Sequence, residues 1–275
     1  PHLSWIVPKK YFDQFPLDTI ETPKVLDTDL DDVPPLGRTF ASPEDHAAVV
    51  KSGLWKDAVQ AYLAAGAFAD AMVGRIVDAL DRSDYKDNTI VVVWGDHGFH
   101  LGEKHRWSKN TLWERSTRSP LVFVVPGVTT PGSRCVRTVD FLSIYPTLCE
   151  LCGLETPKHV EGVSIKQLLA KPGAEWERPA ITTRGFGNHT VRTEGWRYIR
   201  YSDGTEELYD EKNDPNEWAN LADKAEHAAV KSELAHWLPT DEPANAKPVK
   251  AQTSTDKRKA KKKKKNAALK AAKSQ

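Results

Sequence analysis

Three side chains within one short stretch have the types and spacing to do chemistry. Asp96 and His97 stand side by side where the run Thr89-Ile-Val-Val-Val-Trp-Gly95 ends, and Lys109 follows. A carboxylate with nearby oxygens suits Ca²⁺ or Mg²⁺, and a carboxylate with imidazoles suits Zn²⁺ or Mn²⁺ as well. An ammonium beside such a centre suits an anion. The same residues have a bland reading: an aspartate capping the next turn and a histidine satisfied by backbone.

Something must hold these groups in place. Ile90 to Trp94 is short, unbroken and rich in β-branched residues, which predicts a strand buried on both faces of a parallel sheet. Such a strand delivers Asp96 and His97 to the carboxyl edge, where α/β folds bind ligands. Gly98 then allows a tight turn. Before the strand, Val59, Leu63, Met72, Val73, Ile76, Val77 and Leu80 recur at helical spacing, predicting an amphipathic helix from Trp55 to Leu80. After it come a second buried strand at Leu121–Val125, a helix around residues 140–152 and a short helix at Ser164–Leu169. The fold class is therefore α/β, a layered sheet-and-helix domain.

The flanks differ in texture. Residues 1–45 read as loop, broken by Pro8, Pro16, Pro23, Pro34, Pro35 and Pro43. The acidic run Asp27-Thr-Asp-Leu-Asp-Asp32 lacks the glycine and terminal glutamate of a calcium loop. Beyond Lys171-Pro-Gly173, Tyr198–Tyr201 and Glu207–Tyr209 alternate like antiparallel strands around Ser202-Asp-Gly-Thr205, and residues 223–238 read as a closing helix. The expected division is 1–172 for the α/β part, 173–240 for a small antiparallel α+β subdomain and 241–275 for a tail.

That tail holds 12 of the 39 basic residues and three of the 38 acidic ones, leaving 27 basic against 35 acidic elsewhere. Lys257-Arg-Lys-Ala-Lys-Lys-Lys-Lys-Lys265 repels itself and lacks apolar anchors, so disorder is expected. Its charge suits a polyanion such as nucleic acid, an anionic membrane surface or an acidic polysaccharide, and equally a solvated, solubilising tail. No apolar run approaches the roughly 20 residues of a transmembrane helix. Cys135, Cys149 and Cys152 are too few for a disulfide framework. Cys149 and Cys152 have no second pair with which to build a zinc ribbon, and read as buried helix cysteines.

Gly95-Asp-His-Gly-Phe-His-Leu-Gly-Glu-Lys104, with Trp107-Ser-Lys109 and Leu112-Trp-Glu114, resembles the sulfatase family of the alkaline-phosphatase-like superfamily, most nearly its iduronate-2-sulfatase branch and bacterial relatives. Pro1-His-Leu-Ser-Trp5 with Pro8-Lys-Lys-Tyr-Phe12 is similar to a block midway through those enzymes. Arg118–Gly127 and Asp140–Thr147 resemble the following strand and helix, and Glu207–Glu217 with Asn220-Leu221 the C-terminal subdomain. The blocks run in family order from residue 1 to about 240.

The resemblance implies a sulfuric-ester hydrolase acting on a sulfated sugar or glycan. Asp96 and His97 would be metal ligands, normally for Ca²⁺ with Mg²⁺ as the alternative, and His97 is the softer and less usual of the two. Lys109 would grip a sulfate oxygen and His2 would stand near the leaving oxygen. His100, Asn188 and His189 are candidate substrate-binding groups at the rim. Asn188-His-Thr190 is also a glycosylation sequon. By the same resemblance the protein is expected to be exported, to a periplasmic, extracellular or lysosomal-type compartment.

Important parts of the family pattern are absent. None of the three cysteines heads the Cys/Ser-x-Pro/Ala-x-Arg motif that yields the formylglycine nucleophile, and the N-terminal aspartate pair is missing. The expectation is therefore a C-terminal half whose formylglycine lies upstream and which does not hydrolyse sulfate esters by itself. Two alternatives stand beside it: a metal-dependent phosphoesterase of the same superfamily, and a non-catalytic polyanion-binding remnant.

Overall fold

A computed structural model describes residues 2–240; the Lys-rich tail lies outside the described residues. The proline-rich start is more ordered than a loop. It carries short helices α1 (Lys9–Phe12) and α2 (Pro35–Arg38), then α3 (Pro43–Ser52), nearly three turns long. Prolines at first helical positions cost nothing there, because those N–H groups have no intrahelical partner. The long helix α4 spans Trp55–Asp81. Its N-terminal half is covered, with Val59, Ala64 and Ala65 buried, but Ile76 near the other end is 72% exposed. None of the described helices is long and apolar enough to cross a membrane.

Strand β1 (Val91–Trp94) follows, and then a small ribbon of β2 (His100–Leu101) and β3 (Trp107–Ser108). After helix α5 (Glu114–Thr117), strand β4 (Leu121–Val124) returns antiparallel to β1, with Val91 opposite Val124 and Trp94 opposite Leu121. This corrects the expectation of buried parallel strands. Among the described residues β1 has only β4 as a neighbour, and Trp94, Val122 and Val124 are each about half exposed. None of the residues of β1 is buried, and no layer among the described residues covers both of its faces. Helices α6 (Ile144–Leu151) and α7 (Lys166–Ala170) complete this part. Cys149 is buried in α6, whereas Cys152, expected to be buried too, is exposed.

The remainder is a four-stranded antiparallel meander: β5 (Ala180–Thr183), β6 (His189–Arg192), β7 (Trp196–Arg200) and β8 (Glu206–Asp210), closed by α8 (Ala228–Ala235). Successive strand residues face opposite ways. Tyr198 and Leu208, cross-strand partners, join Val191, Leu234 and Leu238 on the helix side. Ile199, Tyr201 and Tyr209 face the other way and share a core with Val33, Phe40, Leu112 and Trp113. The second face thus packs the meander onto the earlier part of the chain.

That interface is also charged. Arg197 is fully buried, and its guanidinium pairs with Glu114, with Glu211 at 3.2 Å and with Glu217 at 2.5 Å. Lys104, equally buried, pairs with Asp29 at 2.7 Å and donates to the Glu217 carbonyl. Glu207 accepts from Trp113 Nε1 at 2.8 Å and from the hydroxyls of Tyr201 and Tyr209. Buried charges persist only when so partnered.

Candidate active site

Strand β1 stops at Trp94, and a pinned loop presents the next residues. Gly95 N–H donates to the Pro120 carbonyl at 3.1 Å and Gly98 N–H to that of Ser116 at 2.9 Å. A side chain at Gly98 would overlap the carbonyl oxygens of Arg115 and Arg118, so close backbone approach requires glycine there.

Held this way, Asp96 projects outward with its side chain 85% exposed. His97 Nδ1 is 2.8 Å from the Gly98 carbonyl oxygen. That acceptor puts the proton on Nδ1 and leaves the lone pair on Nε2, which stands 3.5 Å from Asp96 Oδ1. Two lone-pair donors therefore face one spot, and the pair fits a divalent cation as part of a larger donor set. Among the described residues no third His, Cys, Asp or Glu joins them. Two ligands are well short of the about 6–8 that Ca²⁺ takes.

Lys109 follows β3 in a stretch of unusual backbone. Lys104, His105, Ser108 and Asn110 all have positive φ, at 51°, 47°, 132° and 69°. Non-glycine residues hold such angles only where the surroundings impose them. The half-buried Lys109 ammonium has no hydrogen-bond or ion-pair partner among the described residues. Asn110 beside it lines the same broad open cleft as Asp96 and His97. A metal-type pair thus lines a cleft whose wall includes the residue next to an uncompensated cation.

The other predicted residues are placed differently. His2 is exposed, with Nδ1 2.6 Å from the Leu3 carbonyl. Its segment lies alongside the site, because the Trp5 ring meets Phe99 edge-on at 5.4 Å. His100 is fully buried, not on a rim: Nε2 is 2.8 Å from Thr111 Oγ1 and Nδ1 3.1 Å from the Glu103 carbonyl. Burial pushes its pKa down to about 3, so it is a neutral brace. Asn188 is buried, and its Nδ2 donates to the carbonyls of Arg184 and Phe186 while Oδ1 accepts from Ser202 N–H. It therefore shapes the β5–β6 loop from within. His189, 3% exposed, has Nδ1 2.9 Å from Thr183 Oγ1.

Sequence reasoning missed Arg184 and Arg106. Arg184 directly follows β5 at the base of the β5–β6 loop and lines the cleft. Arg106 donates to Ser42 Oγ at 2.5 Å and to the Lys109 carbonyl at 3.0 Å. Neither strand flanking Arg184 shows an alternation that sequence alone would have registered.

Architecture and comparison agree. The fold is shared with solved structures: the chain superposes with a TM-score of 0.73 on a phosphonate monoester hydrolase from Silicibacter pomeroyi, at 21% identity over 86% of this chain and 53% of that one. A protein solved with its substrate D-glucosamine-2-N,6-O-disulfate gives a TM-score of 0.71 at 22% identity, covering 86% of this chain and 62% of that one. The chain belongs to the sulfatase family. Residues 2–154 match the family described as Sulfatase, and residues 102–242 match N-sulphoglucosamine sulphohydrolase, C-terminal. A sulfatase of Formosa agariphila is 43% identical over 243 residues, covering 87% of this chain and 48% of that protein. An N-acetylglucosamine-6-O-sulfatase of Bacteroides thetaiotaomicron is 32% identical over 193 residues, covering 64% and 34%. The chain thus spans half or less of the length of these curated relatives.

Proposed function

We propose that this polypeptide is the C-terminal portion of a sulfuric-ester hydrolase for a sulfated sugar, with iduronate-2-sulfatase-like specificity as the finer form of that reading. What carries it is the outward carboxylate–imidazole couple in a cleft also lined by Asn110, the residue next to Lys109, whose ammonium has no partner among the described residues. Asp96 and His97 would hold Ca²⁺, or Mg²⁺, together with carboxylates from polypeptide outside this sequence. Bound there, the metal would neutralise charge at the sulfate, and a formylglycine hydrate, also from outside, would supply the nucleophilic oxygen.

This chain's own residues bind, orient and move a proton. Lys109 donates to a non-bridging sulfate oxygen, where charge builds as the ester bond breaks. His2, with Nδ1 turned to the Leu3 carbonyl, would in its doubly protonated form have an Nε2 proton to give to the departing sugar oxygen. We place the enzyme among exported proteins, with the Lys-rich tail holding an acidic polymer nearby by charge.

The test is complementation. The 275 residues alone should not turn over an aryl sulfate, whereas joined to a sulfatase N-terminal half they should, and Asp96→Ala should abolish Ca²⁺ dependence. Phosphate ester turnover without sulfate turnover would end the sulfatase reading. Binding of heparin-like polymer lost on deleting residues 247–275, with no hydrolysis in the joined enzyme, would make it a binding remnant.

A further inference from the structure

His46 holds the segment that leads to Lys109 through a bond that one proton can break. Trp107, two residues before Lys109, donates its indole N–H to His46 Nδ1 at 3.2 Å. An indole N–H only donates, so Nδ1 must keep its lone pair, and neutral His46 carries its proton on Nε2. The imidazole is buried on α3 and fixed on its other sides. The Trp55 ring of α4 meets it edge-on at 4.9 Å, and the His105 ring lies 5.2 Å away, tilted by 31°. Gly102 closes against it, since a Cβ there would stand 3.2 Å from His46 Cε1 and 2.6 Å from Trp55 Cζ2. His105 is itself tied down, with Nε2 2.9 Å from the Leu26 carbonyl oxygen and its own carbonyl accepting from Ser42 N–H.

A second proton on His46 turns Nδ1 into a donor facing the indole N–H, and the bond between the two rings is lost. The surroundings resist that proton. Burial lowers the His46 pKa and His105 lowers it further, against Asp27, which raises it. Arg106, beside His105, is drawn to Asp45 on the same helix as His46, and the group that meets His46 from α4 is the uncharged Trp55 ring. Resting on the role given to Lys109 in the sulfated-sugar reading above, we propose that His46 is a pH-sensitive positioning residue for Lys109: neutral, it holds Trp107 and with it the end of β3 from which the lysine follows; protonated, it lets go. The hold is complete above the ordinary histidine value of about 6.5 and is lost as pH falls below it, through the lowered value of the folded protein.

NMR of the 275-residue protein tests this without turnover, following the sequentially assigned Trp107 indole N–H and Lys109 backbone N–H. As pH falls from about 8 to about 5, both resonances should move together with one midpoint below about 6.5. In His46→Asn a side-chain amide oxygen takes the place of the lone pair and cannot titrate, so both should stay still. In His46→Phe the acceptor is gone, and both should sit near the parent's acid positions at every pH. A Trp107 indole that does not move in the parent, one that moves as much in His46→Asn, or a Lys109 resonance that stays still while Trp107 moves would each overturn the proposal. The parent titration needs no variant, so a substitution that fails to fold leaves the test intact. In the joined enzyme, kcat of His46→Asn relative to the parent should rise below the midpoint by up to about tenfold per pH unit, and a flat ratio would also overturn the proposal. Failure of the hydrolase reading would instead appear as absent turnover in the joined enzyme, with the NMR titration unchanged.

Discussion

Replacing Arg197 by methionine removes the one cation that three buried carboxylates share. Glu114, Glu211 and Glu217 are 7%, 9% and 2% exposed, so none can turn to water for solvation. Removing one member of a buried ionic cluster costs about 3–5 kcal/mol, because the partners stay buried and uncompensated. Arg192 remains 3.0 Å from Glu114 and 3.1 Å from Glu211, which favours the lower end, about 3 kcal/mol. For a domain of this size that lowers Tm by about 6–12 °C. The loss should depend on pH in a definite direction. Burial pushes Glu217 up to about 7 against the pull of Arg197, so the stability present at acid pH declines as pH rises from 4.5 through 7. Without Arg197 that carboxyl rises further, and the decline deepens. Burial also pushes Glu114 up, but Arg197 and then Arg192 outweigh it and hold it at about 2. Its contribution is present above 4.5 and lost as pH falls through 2, and it too shrinks without Arg197. Urea unfolding of parent and Arg197→Met should therefore differ more at about pH 8 than at about pH 4. A difference below about 1 kcal/mol, or one that is the same at both pH values, would refute the assignment of this cluster as an ionised buried network.

Further predictions concern the site and its supports. Lys109→Ala should leave the melting temperature unchanged, since the ammonium has no partner, yet lower kcat of the joined enzyme by about 10²–10³-fold. A comparable loss of stability would mean the lysine is structural. Gly98→Ala forces a methyl group into two backbone carbonyls, so differential scanning calorimetry should show a clear drop in Tm. An unchanged melting curve would show that the strand-end loop is not pinned as described. Trp113→Phe removes the 2.8 Å donor to Glu207 and should cost about 1–3 kcal/mol in denaturant titration.

Local pattern disclosed some of this molecule and concealed the rest for physical reasons. The 27-residue helix was legible because its apolar residues recur at helical spacing, and the β7–β8 hairpin because Asp203-Gly204 marks a turn between alternating residues. Strands β5 and β6 were not, since Thr182, Thr183, His189 and Thr190 present polar atoms on both sides. Asp29 lay in an acidic run of a stretch that read as loop, but its partner Lys104 is 75 residues away, a pairing no local signal carries. The same holds for Arg184, whose guanidinium meets the Phe40 ring rather than a neighbour in sequence. His100 was misplaced because a histidine near a strand-end motif looks the same in sequence whether it faces the cleft or the core.

The buried network and the cleft are linked through the segment that carries Lys109. Several non-glycine residues there hold positive φ, which costs on the order of 1–3 kcal/mol each and persists only if the surroundings impose it. The surroundings are visible. At one end Lys104 is locked to Asp29 and to the Glu217 carbonyl, next to the Arg197 cluster. In the middle Ser42 N–H donates to the His105 carbonyl at 3.1 Å, and Trp107 Nε1 to His46 Nδ1 at 3.2 Å. Closer to the lysine, Arg106 spans from Ser42 to the Lys109 carbonyl. All these fasteners act on neighbouring residues or on the Lys109 backbone, and none uses its ammonium. The cation is therefore positioned without being neutralised, which is what a group awaiting an anion requires.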